Sequence, residues 1–133
     1  MNKKILLIED ELFINDLYRI TLEHEGYTVI TAFDGEAGLQ KIQENTDAAL
    51  VLLDIMLPKM HGIDVLKQVK QDPKTKHLDI ILLSNLGEEN IIDGALKDGA
   101  RDFIKKVVID PKQLVESVNL YITDPKYRFV YDQ

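Results

Sequence analysis

The chain of 133 residues carries 16 Lys and Arg against 23 Asp and Glu, a net charge of −7, and contains no cysteine. The length fits one domain, since single cores stop growing at roughly 250–300 residues; the acidic balance disfavours direct binding to nucleic acid or to an anionic membrane surface. Without thiols there are no disulfides, thiolate nucleophiles or cysteine-type zinc or iron–sulfur sites, and the longest apolar run, residues 48–53, is far short of the ~20 residues of a membrane span, so a cytoplasmic location is expected.

Short apolar runs alternate with segments of helical period. Residues 4–8 read as a buried strand. Ile14, Leu17, Tyr18 and Leu22 then recur at helical spacing until Gly26 ends the helix. Residues 27–31 read as a second strand, and Asp34-Gly35 turns the chain into a small helix carrying Ala37, Leu39 and Ile42. Residues 48–53, the most apolar run, predict a central strand buried on both faces, with Asp54 at its end and a loop containing Pro58 and Gly62 after it. Ile63, Leu66 and Val69 mark a third helix ending near Asp72-Pro73. A fourth strand over 80–83 ends at Ser84, and Ile91, Ile92, Ala95 and Leu96 form one face of a fourth helix stopped by Gly99. A short fifth strand covers 102–104. Asp110-Pro111 caps and opens a fifth helix with Leu114, Val115, Val118 and Ile122 inward, ended by Asp124-Pro125. The tail aromatics Tyr127, Phe129 and Tyr131 are expected to pack back on the domain. His24, His61 and His77 lack metal-ligand spacing and read as surface residues; Gly35, Gly38, Gly62 and Gly99 read as turn or helix-end residues rather than a phosphate loop.

Strands alternating with helices imply βαβ units, a mostly parallel sheet and helices on both faces: a doubly wound α/β fold. Ligands bind such sheets beyond the carboxyl ends of the strands. The residues gathered there are Glu9 and Asp10, Asp54, Ser84, and Lys105-Lys106. Clustered carboxylates repel one another, and burial raises the cost of keeping them ionised. A hard divalent cation relieves both; Mg²⁺ suits best, because it needs one or two carboxylates and works beside phosphoryl groups. A lysine and a hydroxyl can each meet a phosphoryl oxygen. Asp54, leaving the most buried strand, is the natural nucleophile for aspartyl-phosphate chemistry.

The stretches Lys4-Ile5-Leu6-Leu7-Ile8-Glu9-Asp10-Glu11, Leu53-Asp54-Ile55-Met56-Leu57-Pro58-Lys59-Met60-His61-Gly62, Ile80-Ile81-Leu82-Leu83-Ser84 and Gly99-Ala100-Arg101-Asp102-Phe103-Ile104-Lys105-Lys106 make the chain similar to the receiver domains of two-component response regulators over about residues 3–123. The resemblance implies a flavodoxin-like five-stranded parallel sheet of order 2-1-3-4-5. It implies Mg²⁺ held by Glu9, Asp10, Asp54 and the backbone carbonyl of Met56. It further implies phosphorylation of Asp54 by a histidine kinase or phosphotransfer protein, with Ser84 and Lys106 meeting the phosphoryl group and Phe103 as the aromatic switch. A downstream protein target follows, with output by protein binding or phosphorelay unless the chain is part of a longer regulator. The domain then covers 1–123 with a tail at 124–133, acts as monomer or weak homodimer, and catalyses its own phosphorylation and dephosphorylation without being a turnover enzyme.

Three departures from the family pattern matter. Lys106 precedes Val107 where the family usually has proline after a cis bond, and a cis bond to a non-proline residue costs ~2.5–4 kcal/mol. Strand alternation lets only one of Lys105 and Lys106 point inward; the motif favours Lys106. Asn85 replaces a smaller residue and is expected to alter autodephosphorylation, while apolar Met56 and Leu86 suggest a moderately long-lived phosphoryl state. The rival readings are a phosphorylation-independent docking module and a phosphohydrolase. Against the latter, Met56 stands where such an enzyme needs a second acid.

Overall fold

The computed structural model describes residues 2–85, 87–106 and 108–129. Its elements run β1 (Lys4–Ile8), α1 (Leu12–His24), β2 (Thr28–Ala32), α2 (Gly35–Glu44), β3 (Leu50–Asp54), α3 (Gly62–Gln71), β4 (Ile80–Ser84), α4 (Glu89–Lys97), β5 (Asp102–Lys105) and α5 (Pro111–Thr123). All strand pairings are parallel and the spatial order is β2-β1-β3-β4-β5. The three interior strands are apolar because helices cover both their faces, as parallel sheets require; the edge strand β5 alternates buried with half-buried residues.

The period of two along each strand splits the core into two layers. Leu6, Ile8, Val51, Leu53, Ile80 and Leu82 face α2, α3 and α4, where Ile42, Val65, Leu66, Val69, Ile92 and Ala95 meet them. Ile5, Leu7, Leu50, Leu52, Ile81, Leu83 and Ile104 face α1 and α5, where Tyr18, Leu22, Leu114, Val118 and Tyr121 meet them. Each fully buried aliphatic side chain stabilises the fold by about 1.5–3 kcal/mol. Local signals fix the helix starts: the Asp34 carboxylate accepts from Ala37 N–H, and Asp110 and Gln113 cap each other around Pro111. Gly26, at φ +102°, ends α1 in the left-handed region.

The sequence reading is corrected in several places. β2 begins one residue later than expected, and β3 begins at Leu50, because the Ala48 N–H turns back to Asn45 instead of joining the ladder. Asp54, Ser84 and Lys105 are the last residues of their strands rather than the first of their loops. On α4 the strip meeting the sheet is Ile92 and Ala95; Leu96, ~100° further round the helix, is exposed. α5 buries Ser117 and Tyr121 in addition to Leu114 and Val118. Gly38 is no turn residue. It lies inside α2, where a Cβ would come 2.6 Å from Ile8 Cγ2, so it sets how closely helix and strand approach. His61 is half-buried and caps α3, its Nδ1 accepting from Ile63 N–H at 3.1 Å; His24 and His77 are exposed.

Residues 124–129 fold back on the domain. The Asp102 carboxylate, buried at the start of β5, accepts from Tyr121 O–H at 2.6 Å and from Phe129 N–H at 2.7 Å. The Arg101 guanidinium donates to the carbonyls of Tyr121 and Asp124 and pairs with Asp79. The Tyr127 ring packs edge-on against Tyr121, with centroids 4.8 Å apart. Tyr127 and Phe129 thus take the packed positions expected of them; Tyr131 lies outside the described residues. No helix among the described residues is long and apolar enough to cross a membrane.

Candidate functional site

Because every strand runs the same way, their carboxyl ends share one edge. β1 delivers Glu9 and Asp10 there, β3 ends on Asp54, β4 on Ser84, and β5 runs into Lys106. Glu9, Asp54, Ser84 and Lys106 are buried, and Asp10 is half-buried. One carboxylate oxygen each from Glu9, Asp10 and Asp54 fall within 4.8 Å of one another. Lys106 Nζ reaches across the sheet to donate to Glu9 Oε1 at 2.9 Å, Asp54 Oδ2 at 3.2 Å and Glu11 Oε1 at 3.3 Å. Lys105 points the other way, to Glu89 on α4 at 3.0 Å. Asp102 and Ile104 are the buried positions of β5, so the period of two continues to Lys106.

The loop after β3 is held against the site by backbone contacts. Met56 N–H lies 3.3 Å from Asp54 Oδ1, Gly62 N–H donates to the Ile55 carbonyl, and Gly35 N–H to the Pro58 carbonyl. Gly62 leaves no room for a side chain, since a Cβ there would sit 2.1 Å from the Asp54 carbonyl oxygen. The Met56 side chain is exposed, its sulfur 3.2 Å from His61 Nε2.

Three carboxylates face one buried ammonium, and the titration follows. Burial, with the charge of Glu9 added, pushes the Asp54 carboxyl up to about 8, and Lys106 only partly counters it. Burial alone would pull the Lys106 ammonium down; its hydrogen bond to Glu9 and the charges of Asp54 and Glu9 outweigh that and raise it. The surplus negative charge and all-oxygen donor set match a hard divalent cation of the Mg²⁺ type, and Glu9, Asp10 and Asp54 could hold one.

Ser84 Oγ is oriented weakly, 3.5 Å from the Ile104 carbonyl. Phe103 is half-buried against the α2–α4 layer and lines a shallow groove with Glu89, Ile92, Asp93 and Lys105. A wider groove between α1 and α5, lined by Ile20, His24, Lys112 and Val115 among others, shares no residue with the acidic cluster. Asn85 donates its N–H to the buried Glu88 carboxylate at 2.6 Å. Leu86 and the Lys106–Val107 peptide bond lie outside the described residues.

The sequence reading missed two groups, and a third, placed by its spacing on one face of the first helix, lies beneath the site. Glu11 supplies the third acceptor to Lys106; its only signal was its place in the run Glu9-Asp10-Glu11. Asn15, buried in α1, donates to the carbonyls of Glu9 and Ala32 and so ties the end of β1 to that of β2. Tyr18 is buried beneath the site, and burial pushes its phenol up to about 12.

Comparison with known proteins points one way. A family model described as the response regulator receiver domain matches residues 5–119. The chain is 43% identical over 106 residues to the alkaline phosphatase synthesis transcriptional regulatory protein PhoP of Bacillus subtilis, covering 80% of this chain and 43% of that protein. It is 34% identical over 121 residues to the chemotaxis protein CheY of Thermotoga maritima, covering 90% of this chain and 97% of that one. The chain thus spans less than half the length of that PhoP protein. Among solved structures, a response regulator receiver domain protein from Clostridium thermocellum superposes with a TM-score of 0.82 at 31% identity, over 93% of this chain and 97% of that one. A CheY-like receiver domain protein from Methanospirillum hungatei does so with a TM-score of 0.84 at 29% identity, over 93% and 96%.

Proposed function

The chain belongs to the response regulator receiver family of two-component signalling, and from that premise we propose that it accepts a phosphoryl group on Asp54 from a histidine kinase or phosphotransfer protein and thereby switches a protein-binding surface. The observation that carries this reading is the 3.2 Å contact between Lys106 Nζ and Asp54 Oδ2 inside a buried acidic cluster. A buried carboxylate at a strand end, with a cation beside it and oxygen donors for a second cation, is equipped for phosphoryl chemistry, which asks mainly for positioning and charge neutralisation.

In the transfer an Asp54 oxygen attacks phosphorus. A P–O bond forms as the P–N bond to the donor histidine breaks, and the departing imidazole takes up a proton. Glu9, Asp10, Asp54 and the Met56 carbonyl would hold Mg²⁺, which when bound neutralises phosphoryl charge. Lys106 meets one phosphoryl oxygen with its ammonium and Ser84 another with its hydroxyl. Its 3.5 Å bond to the Ile104 carbonyl is weak enough to exchange, and Ile104 follows Phe103 on β5, so the hydroxyl's movement bears on the strand that carries the ring. The added charge therefore biases a two-state surface around β5 and α4. Receiver domains are signalling domains and not turnover enzymes, and the same holds here. We take residues 1–123 as the receiver domain and 124–133 as its tail, of which residues 124–129 fold back on the domain.

The test is intact mass after incubation with acetyl phosphate, with and without Mg²⁺, for the protein and Asp54→Asn. The expected result is one phosphoryl adduct that requires both Mg²⁺ and Asp54. A folded, Mg²⁺-binding protein that takes no adduct would overturn the reading in favour of a phosphorylation-independent docking module.

A further inference from the structure

An ammonium group has three N–H donors and no acceptor. At Lys106 all three have carboxylate partners, at 2.9, 3.2 and 3.3 Å. A phosphoryl oxygen arriving at Asp54 can therefore be met only if one partner withdraws. Glu9 is not free to do so: it is fully buried, and its other oxygen accepts from Glu11 N–H at 2.9 Å. Asp54 is the acceptor itself. Glu11 is the remaining candidate. Its bond is the longest of the three, and its side chain is 55% exposed.

Glu11 also stands where its side chain has no local duty. It is the residue capping α1, a place that favours Ser, Thr, Asp or Asn for the bond their side chains make to the first helical N–H groups. Glu11 makes no such bond. Its backbone carbonyl accepts from Asn15 N–H, while its carboxylate turns back over the site to Lys106. A longer acid at the cap is poor for the helix and well placed for the lysine.

We infer that Glu11 is a positioning residue that occupies the phosphoryl-facing N–H of Lys106 in the unphosphorylated protein and gates the entry of anionic donors. The inference rests on the proposed phosphorylation of Asp54 and adds to it the group that the phosphoryl oxygen displaces. Before transfer, the Glu11 carboxylate holds the ammonium's third donor and sets a negative charge at the mouth of the site. On transfer it moves to solvent, which its exposure allows, and Lys106 keeps Glu9 while taking the phosphoryl oxygen in its place.

Glu11→Gln removes the charge and keeps the shape; Glu11→Asp keeps the charge but is one methylene shorter. Rates of adduct formation with acetyl phosphate are measured by intact mass at saturating Mg²⁺ and at two salt concentrations. Glu11→Gln is expected to react about two- to fivefold faster at low salt, the range of a partly exposed ion pair. The gain should shrink toward unity near 1 M salt, where screening acts within about 3 Å. Glu11→Asp should lie between the two. A gain independent of salt, or none at low salt, overturns the inference. A second readout needs no chemistry at Asp54: reductive methylation of Lys106, mapped by peptide mass, should rise in Glu11→Gln as the amine loses a partner, and unchanged labelling refutes the hold. Raised labelling with no phosphoryl adduct in either protein would leave Glu11 holding Lys106 and sink the phosphorylation reading instead.

Discussion

Replacing Asp54 with Asn should stabilise the metal-free protein, and by an amount that depends on pH. The carboxyl sits 1% exposed between Glu9 and Lys106, and burial together with the charge of Glu9 moves it from an ordinary 3.8 to about 8. Its folded value lies above its unfolded one, so the folded protein keeps a proton that the unfolded chain has released. The stability this confers is complete below pH 4 and is lost as pH rises toward 8. At about 1.4 kcal/mol per pH unit between the two values, the ionised carboxylate costs the metal-free fold up to about 5 kcal/mol at pH 8. Asn mimics the neutral acid and escapes that cost, and its amide oxygen can still accept from Lys106. Urea unfolding in the presence of a chelator should find Asp54→Asn more stable than the parent by about 2–5 kcal/mol at pH 8, with the two curves converging as pH falls to about 4. Adding Mg²⁺ should stabilise the parent by mass action and leave the variant nearly unmoved. Equal stabilities at pH 8 without metal would refute the reasoning, since they would mean that Lys106 alone balances the carboxylates.

Lys106→Met removes the one buried ammonium among the described residues of the cluster; adduct formation at Asp54 should slow by about 100-fold or more, whereas Lys105→Met, at a lysine that points away from the site toward exposed Glu89, should leave the rate of adduct formation close to the parent's. Gly62→Ala would set a methyl group 2.1 Å from the Asp54 carbonyl and 2.8 Å from that of Ile55, both backbone; a loss of about 1–3 kcal/mol in urea unfolding, with slower phosphorylation, is expected, and parental behaviour in both assays would contradict the packing described. Ending the chain after Thr123 removes the Phe129 N–H from the buried Asp102 carboxylate and two carbonyls from Arg101; thermal unfolding should report a loss of about 1–3 kcal/mol.

What the sequence made legible is what depends on short-range pattern. Apolar runs buried on both faces can be little else than interior parallel strands, so β1, β3 and β4 were readable nearly to the residue, and right-handed crossovers then bring their ends together. The site followed from reading the polar residue that stops each run: Glu9, Asp54 and Ser84 interrupt sequences that are otherwise wholly apolar. Groups whose partners are distant in the chain were not readable. Tyr121 is one more aromatic on a helix until Asp102, 19 residues away, accepts its hydroxyl hydrogen and Phe129 meets the same carboxylate from the tail. Leu96 and Ile92 share a helical face by spacing, yet α4 buries Ile92 and Ala95 against the sheet, with Ile91 packed beside them, and leaves Leu96 exposed.

The two adjacent lysines separate what pattern can decide from what only packing can. The period of two excludes both from facing inward, but the direction depends on which parity the sheet buries. Asp102 settles that parity, since it is buried at the start of the edge strand. Its carboxylate is buried because Tyr121 and the tail supply donors, and with Asp102 inward Ile104 and Lys106 follow. Asp102 and the tail therefore anchor the strand that presents Lys106, and a tail contact made only late in the chain helps to aim the ammonium at an aspartate 52 residues before it. The same geometry explains why Glu11 could not be recognised from sequence: an acid after two acids is unremarkable until a lysine from the far end of the fold arrives with one donor to spare.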